Sequence, residues 1–100
     1  MAIKLSVQYG HPTDPDAFEK YYAETHIPLA STMTGFTNIE LAKVVATPDG
    51  SPLPFYRTAE LWWDSEDDMQ KTLGSPEGQA TVADIANFAT GGATVFISAT

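Results

Sequence analysis

The sequence contains no cysteine, and its five basic residues are outnumbered by thirteen acidic ones. A chain without cysteine forms no disulfide, carries no thiolate nucleophile and offers no zinc–sulfur site. The net charge of −8 repels phosphate backbones and anionic membrane surfaces. We therefore expect neither nucleic acid nor a membrane among the partners.

Long hydrophobic runs and clustered histidines are also missing. No stretch approaches the roughly 18 consecutive apolar residues of a membrane-spanning helix. Residues 1–10 lack the charged start and long apolar core of a signal peptide, so we expect a cytoplasmic protein. The two histidines, His11 and His26, lie far apart in sequence. We expect no protein-bound metal and no cofactor.

What remains is a chain of 100 residues with 43% hydrophobic content. That length supports a core, but one sheet and one layer of helices would use it up. We interpret residues 1–100 as a single domain.

The segment 14–29, DPDAFEKYYAETHIPL, predicts a helix. Its opening Asp-Pro pair suits an N-cap followed by the first helical position. Phe18, Tyr22 and Thr25 recur at spacings of four and three, which is typical of one buried helix face.

The end of this helix carries the residue of greatest chemical interest. Pro28 disfavours the α conformation at Ile27, so the helix should end near His26, one turn beyond Tyr22. His26 then has two interpretations that sequence alone leaves open. It either caps the last helical carbonyls or faces a cavity as a proton donor or acceptor, because imidazole changes charge nearest neutral pH.

The rest of the chain alternates strand and helix patterns. Strands are predicted over residues 2–9, 36–45, 55–63 and 93–99, and helices over 65–74 and 75–88. This order, strand, helix, strand, strand, helix, strand, is that of the ferredoxin-like βαββαβ fold. It is an α+β fold in which helices cover one face of a four-stranded antiparallel sheet.

The second helical region is predicted to break at Gly74, with Ala80, Ala83, Ile85 and Phe88 as the apolar positions of its later part. An aspartate on such a helix is by default solvated. A carboxylate at Asp84 would nevertheless orient a neighbouring imidazole.

The sheet face without helices is predicted to be both polar and aromatic. It would present Tyr56, Trp62 and Phe96 among charged and hydroxyl side chains. Such a face is too aromatic to remain exposed to water, and a second copy would cover it. We predict a homodimer with these three aromatic residues at its interface.

Three segments, YYAETHIPL, AELWWDS and SPEGQATVADIANF, together resemble the EthD family. Its members share a tyrosine-rich helix closing in His-x-Pro, matched at His26 and Pro28. They also share an acidic-aromatic third strand and a Ser-Pro-Glu-Gly helix start, matched at 60–65 and 75–78. The resemblance implies a ferredoxin-like fold that pairs into a dimeric α+β barrel.

The resemblance also implies a pocket between the helices and the sheet. The candidate substrate-binding residues are Tyr9, Phe36, Leu61, Trp63, Asp84, Ile85 and Phe88, with His26 and Tyr22 as candidate catalytic residues. An apolar cleft with a few polar groups is the usual form of a small-molecule site. Large apolar residues at these spacings are also typical of ordinary core.

Three functions are compatible with these residues. The first is a dimer that binds a small aromatic or hydrophobic metabolite and performs isomerase, cyclase or monooxygenase-type chemistry without a cofactor, with His26 as proton shuttle. The second is a non-catalytic accessory or binding dimer. The third is a haem protein with His26 as axial ligand. The resemblance does not choose among them, because one fold hosts many chemistries.

Overall fold

A computed structural model describes residues 2–100 and shows four strands in one sheet, with the helices packed on it. The elements are β1 (Ile3–Tyr9), α1 (Pro15–Tyr21), a π-helical turn (Tyr22–His26), α2 (Ile27–Ala30), β2 (Asn38–Lys43), β3 (Arg57–Trp63), α3 (Glu66–Gly74), α4 (Pro76–Phe88) and β4 (Ala93–Ala99). The predicted α+β, ferredoxin-like element order is confirmed. β2 and β3 are shorter than predicted, starting at residues 38 and 57 instead of 36 and 55.

The strand order in the sheet is β2-β3-β1-β4, and neighbouring strands are antiparallel. In the register, Leu5 lies opposite Leu61 on one side and Ile97 on the other, and Leu61 lies opposite Ile39. All four share the helix face, since directly paired residues point the same way. Leu5 and Leu61 are buried, whereas Ile39 is 38% and Ile97 54% exposed. The helices therefore cover the two central strands and leave both edge strands open.

The predicted helix starts are confirmed by their caps. Asp14, Ser65 and Ser75 each accept a hydrogen bond from the backbone N–H three residues further on. Such a bond satisfies a donor that the first helical turn leaves unpaired. The break between α3 and α4 after Gly74 is likewise present.

The first helix does not end near His26, and that prediction was wrong. Ile27 keeps helical angles, φ −65° and ψ −43°, and its N–H donates to the carbonyl of Tyr22 five residues back. This wider turn precedes Pro28, which has no N–H to donate and would crowd the carbonyl four residues back in a regular helix. It also turns Thr25 outward, so His26 follows Tyr22 on the buried side.

The buried face of α4 also differs from the prediction. Ala80 and Ala83 are exposed, whereas the buried positions are Gly78, Thr81, Asp84 and Phe88. Gly78 packs directly against the backbone of Thr72 and Leu73, and the side chains of Thr81 and Asp84 have hydrogen-bond partners, so close backbone packing and polar contacts place these residues inside.

The core divides into two clusters. The methionine cluster contains Leu5, Ala30, Met33, Leu61, Trp63 and Met69. The aromatic cluster contains Val7, Tyr9, Phe18, Tyr22, Ala59 and Phe88. The first packs under α2 and α3, and the second under α1, the π-helical turn and α4. No helix within residues 2–100 has the length and apolar character needed to cross a membrane.

The sheet face opposite the helices carries charges and aromatic rings side by side. Lys4 lies 3.0 Å from the carboxylate of Glu60, and its ammonium lies 5.9 Å from the ring centroid of Trp62. Phe96 is 42% exposed there. Tyr56 is not on this face, and its predicted placement is corrected. It precedes β3, outside the strand alternation, and its ring packs edge-on against Phe18, 5.1 Å between centroids.

Candidate active site

A cavity of about 50 Å³ lies between the helices and the two central strands. Tyr9, Tyr22, His26, Leu61 and Ile85, all predicted pocket residues, line it. They come from β1, the π-helical turn, β3 and α4. A cavity of this volume holds a few water molecules. The predicted location of a pocket between helices and sheet is confirmed.

Three other predicted binding residues pack around the cavity instead of lining it. Trp63 is fully buried in the methionine cluster, and Phe36 packs against that cluster. Phe88 lies behind His26, with the two ring centroids 4.6 Å apart. Spacing along a strand or helix predicts that such residues lie on the inner face. It does not predict which of them contact the cavity and which pack behind the residues that do.

His26 is held by Asp84, which lies 58 residues away on α4. The Nδ1 atom of His26 and the Oδ2 atom of Asp84 are 2.9 Å apart, and their side chains are only 6% and 9% exposed. The predicted pairing of the two side chains is confirmed. With Nδ1 bound to Asp84, Nε2 is the ring nitrogen left for a ligand.

The carboxylate of Asp84 has two further donors. The Tyr21 hydroxyl donates to Oδ1 at 2.6 Å, and the side-chain amide of Asn87 donates to the same oxygen at 3.0 Å. Burial raises the pKa of Asp84, but the hydrogen bonds from Tyr21, Asn87 and His26 together outweigh burial and hold that pKa below its usual value. Asp84 is therefore ionised at neutral pH. Because an ionised carboxylate only accepts, the proton in the contact belongs to Nδ1 of His26.

Tyr22 combines a stacked ring with a hydroxyl that lacks a partner. Its ring lies nearly parallel to His26, with centroids 5.7 Å apart and an interplanar angle of 20°. Within residues 2–100, its buried hydroxyl has no hydrogen-bond partner. Burial raises the pKa of Tyr22 to about 12, so the hydroxyl keeps its proton at neutral pH and can donate it to a hydrogen bond.

Arg57 lies against the aromatic side of this site but is already paired. Its guanidinium carbon is 5.1 Å from the ring centroid of Tyr22. Two of its nitrogens donate to the carboxylate of Glu19 at 2.9 and 2.8 Å. This two-point contact holds the charge of Arg57 at Glu19, and Arg57 does not line the cavity.

Tyr9 forms another part of the wall. It is 1% exposed, and its ring packs edge-on against Phe18 and Tyr22, at 5.5 and 5.7 Å between centroids. Burial, with the nearby Tyr22 and Asp84, raises the pKa of Tyr9, so it too is a neutral phenol. The two tyrosines thus form an aromatic, uncharged part of a wall that is otherwise mainly aliphatic.

Several residues of this site were not predicted. Ile39 and Leu41 of β2 line the cavity, and so does Val82 of α4. The alternation of β2 placed Ile39 and Leu41 on the face of Leu61, which was a usable signal. Asn87 stands three residues after Asp84, a spacing at which helical side chains meet.

The described residues do not suit a metal or a haem. Within residues 2–100, no group of three or more His, Cys, Asp or Glu side chains is arranged to hold a metal ion. The cavity of about 50 Å³ is far below the several hundred Å³ that even a drug-sized ligand fills. We assign no reaction step to a haem.

Comparison with known proteins gives a consistent family match. A sequence model of the EthD domain matches residues 10–92. An uncharacterised 11.0 kDa protein of the thcB-thcC intergenic region in Rhodococcus erythropolis is 35% identical over 95 residues, which are 95% of this chain and 91% of that protein. An EthD family protein from Bacillus halodurans has a crystal structure that is 30% identical and matches with a TM-score of 0.90, covering 100% of this chain and 99% of the other.

More distant solved structures share the fold. SnoaB from Streptomyces nogalater, described as a cofactor-independent oxygenase, is 15% identical with a TM-score of 0.65 and covers 99% of this chain and 91% of its own. A dimeric ferredoxin-like protein of unknown function from Thermobifida fusca is 17% identical with a TM-score of 0.73, covering 100% and 92%. At these identities the likeness concerns the fold alone.

Proposed function

The chain belongs to the EthD family, and from this premise we propose that it binds a small aromatic or hydrophobic metabolite and transforms it by proton transfer. In this proposal His26 is the proton shuttle and Tyr22 positions an oxygen of the substrate. The reaction uses no cofactor and is of the isomerase, cyclase or monooxygenase type.

The observation that carries the proposal is the buried contact between His26 and Asp84 at the wall of an apolar cavity. A carboxylate bound to one ring nitrogen fixes the orientation and tautomer of the imidazole and stabilises the imidazolium that forms when the other nitrogen takes a proton. The three donors around Asp84 keep it ionised for this role. A histidine with only a structural role would need neither a buried carboxylate at Nδ1 nor a cavity beside its ring.

Proton transfer by a positioned side chain typically contributes about 10²–10⁴-fold to a rate. That magnitude suits an isomerisation, a cyclisation or an oxygen-dependent step on an already activated substrate. SnoaB is described as a cofactor-independent oxygenase on the same fold, which supports this class of chemistry for the fold but does not select it for this chain.

The other predicted site residues take supporting parts in the proposal. Tyr9, Leu61 and Ile85 contact the substrate from the wall. Phe36, Trp63 and Phe88 do not contact the substrate, but they pack against the core and hold the residues that contact it in place.

We also propose that the protein works as a homodimer, formed through the sheet face that the helices leave open. Trp62 and Phe96 lie on this face beside Lys4 and Glu60, so a second copy would bury rings and pair charges. The Thermobifida fusca neighbour is described as dimeric. In light scattering, Trp62→Lys should shift the dimer to a monomer, and a wild-type monomer at micromolar concentration would contradict the proposal.

The second candidate is a non-catalytic accessory or binding dimer. The observation in its favour is the small cavity, about 50 Å³, which leaves little room for a complete substrate. The two candidates differ in whether His26 moves a proton.

Deuterium exchange separates them. Small aromatic ketones, phenols and aromatic carboxylates are incubated with the protein in D₂O, and deuterium uptake at carbon is followed by NMR. We expect the protein to accelerate uptake on at least one compound and His26→Gln to lose about 10²–10⁴-fold of that acceleration. The control is His11→Gln, which removes the other, exposed histidine and should keep the full rate.

No acceleration on any compound, or full acceleration by His26→Gln, would contradict the enzymatic proposal. The first result would leave the accessory candidate standing. The second would place the proton transfer at another residue.

A further inference from the structure

We infer that the ligand of this cavity is a neutral molecule whose oxygen accepts a hydrogen bond from Tyr22 and whose acidic C–H or O–H faces Nε2 of His26. A ketone that can form an enol is the simplest such compound. The inference rests on the proposed function for the role of His26, but its ligand class follows from Tyr22, the charges and the shape of the cavity.

The unpaired hydroxyl of Tyr22 indicates a ligand that accepts a hydrogen bond. Tyr22 is 4% exposed, lines the cavity, and its hydroxyl has no partner within residues 2–100. Buried polar groups are nearly always hydrogen-bonded, and one left unpaired costs free energy. A phenol that stays protonated needs an acceptor, and a carbonyl oxygen in the cavity would be one.

The lack of Lys and Arg side chains in the part of the cavity wall that the structure describes indicates a neutral ligand. Among residues 2–100, those lining the cavity include no aspartate, glutamate, lysine or arginine. The nearby guanidinium of Arg57 is bound at two points by Glu19, and the ionised Asp84 stands directly behind His26. A carboxylate ligand would lose its water without gaining a lysine or arginine partner and would face the carboxylate of Asp84 behind His26. The site therefore selects against anions.

The shape of the cavity indicates which part of the ligand lies inside and which part lies at the rim. Its inner part is formed by buried residues such as Tyr22 and His26, whereas Ile39, Leu41 and Val82 are 38%, 39% and 51% exposed and also line it. A volume of about 50 Å³ accommodates a carbonyl head group but not a whole aromatic compound. The apolar remainder of the ligand would lie at the rim, between β2 and α4.

These contacts define a balanced proton transfer. The C–H bond next to the carbonyl breaks and its proton moves to Nε2 of His26. The C–H electron pair forms a carbon–carbon double bond, and the π pair of the C=O bond moves to the oxygen. The resulting enolate oxygen accepts the hydrogen bond of Tyr22, while Asp84 stabilises the imidazolium through Nδ1. Return of the proton to the same or another carbon completes an exchange or an isomerisation, and no oxidant is consumed.

The test measures binding, not turnover, with three probes of nearly equal shape: acetophenone, isopropylbenzene and benzoate. They present a neutral carbonyl, no oxygen and a carboxylate, respectively. NMR titration of the wild-type protein should give the tightest binding for acetophenone, weaker binding for isopropylbenzene and the weakest for benzoate. Tyr22→Phe should reduce the preference for acetophenone over isopropylbenzene by about tenfold, the size of one hydrogen bond in a buried site.

The control is Tyr56→Phe, which removes a phenolic hydroxyl outside the cavity and should leave the preference unchanged. An unchanged preference in Tyr22→Phe would overturn the inference, since the partner of Tyr22 would then be a water molecule. Benzoate binding as tightly as acetophenone would overturn it as well. Binding in the expected order without deuterium exchange would uphold the ligand class and contradict only the enzymatic proposal.

Discussion

The two core clusters are similarly buried, but they differ in whether their polar groups have hydrogen-bond partners. In the methionine cluster, the indole N–H of Trp63 donates to the hydroxyl of Thr72 at 2.9 Å, and that hydroxyl donates to the carbonyl of Thr34 at 2.7 Å. In the aromatic cluster, the buried hydroxyl of Tyr22 has no partner within residues 2–100.

Residues of both clusters line the cavity, but the difference indicates which cluster supplies the polar group of the site. A chain of satisfied hydrogen bonds fixes the methionine cluster in one arrangement. The aromatic cluster keeps a donor and an imidazole nitrogen available at a cavity, and such local departures from full satisfaction are typical of functional sites. The following substitutions test the methionine cluster, the partner of His26 and the unpaired hydroxyl in turn.

The largest effect is expected in the methionine cluster. Trp63→Ala removes a fully buried ring and leaves the hydroxyl of Thr72 without its donor, and it should lower the free energy of unfolding by about 3–5 kcal/mol. Urea denaturation measures this loss. Trp63→Phe, which keeps a ring but not the N–H, should cost less. A loss below about 1 kcal/mol for Trp63→Ala would show that the core collapses easily around the gap.

A smaller but pH-dependent effect is expected at Asp84. Asp84→Asn removes the anion beside His26 and should lower the free energy of unfolding at neutral pH by about 1–3 kcal/mol. The folded-state pKa of Asp84 is lowered, so its contribution is present above the ordinary value of 3.8 and is lost as pH falls through the folded pKa. The wild type should therefore lose more stability in acid than the variant does.

The measurement is a series of urea midpoints from neutral pH into acid. Glu19→Gln is a needed comparison, because the hydrogen bonds from Arg57 lower the pKa of Glu19 and give it the same direction of pH dependence. If Asp84→Asn loses stability in acid as steeply as the wild type, the contact with His26 does not couple to folding.

The smallest effect on stability is expected from Tyr22→Phe. The substitution removes an unpaired buried hydroxyl, so stability should stay the same or rise by up to about 1 kcal/mol. Thermal unfolding of the two proteins measures the difference. A clear fall in the midpoint would mean that the hydroxyl has a partner, such as a bound water, in the folded protein.

The sequence predicted the fold well because its signals are local. The N-caps at Asp14, Ser65 and Ser75 and the alternation of the strands each depend on a few neighbouring residues. Element order then left few topologies to consider.

The candidate site was less accessible to prediction because it depends on distant contacts. Asp84 on a helix looks solvated until Tyr21, His26 and Asn87 are known to surround it. The position of Phe88 behind His26, instead of at the cavity, likewise requires the packing angle of two helices. The rule that ended the helix at Pro28 assumed a regular α-helix and failed at a π-helical turn.

The π-helical turn has a mechanical consequence. Pro28 has no N–H, so the helix lacks one backbone hydrogen bond where the turn is already wide, and helices bend most easily at such gaps. The backbone there faces water, since Ala23, Glu24 and Thr25 are exposed, while His26 reaches inward to Asp84 on α4. The side-chain contact therefore restrains a turn that its own backbone restrains weakly. The contact between His26 and Asp84 thus joins the π-helical turn to α4, so a bend of the helix at this turn would also move His26 relative to the cavity.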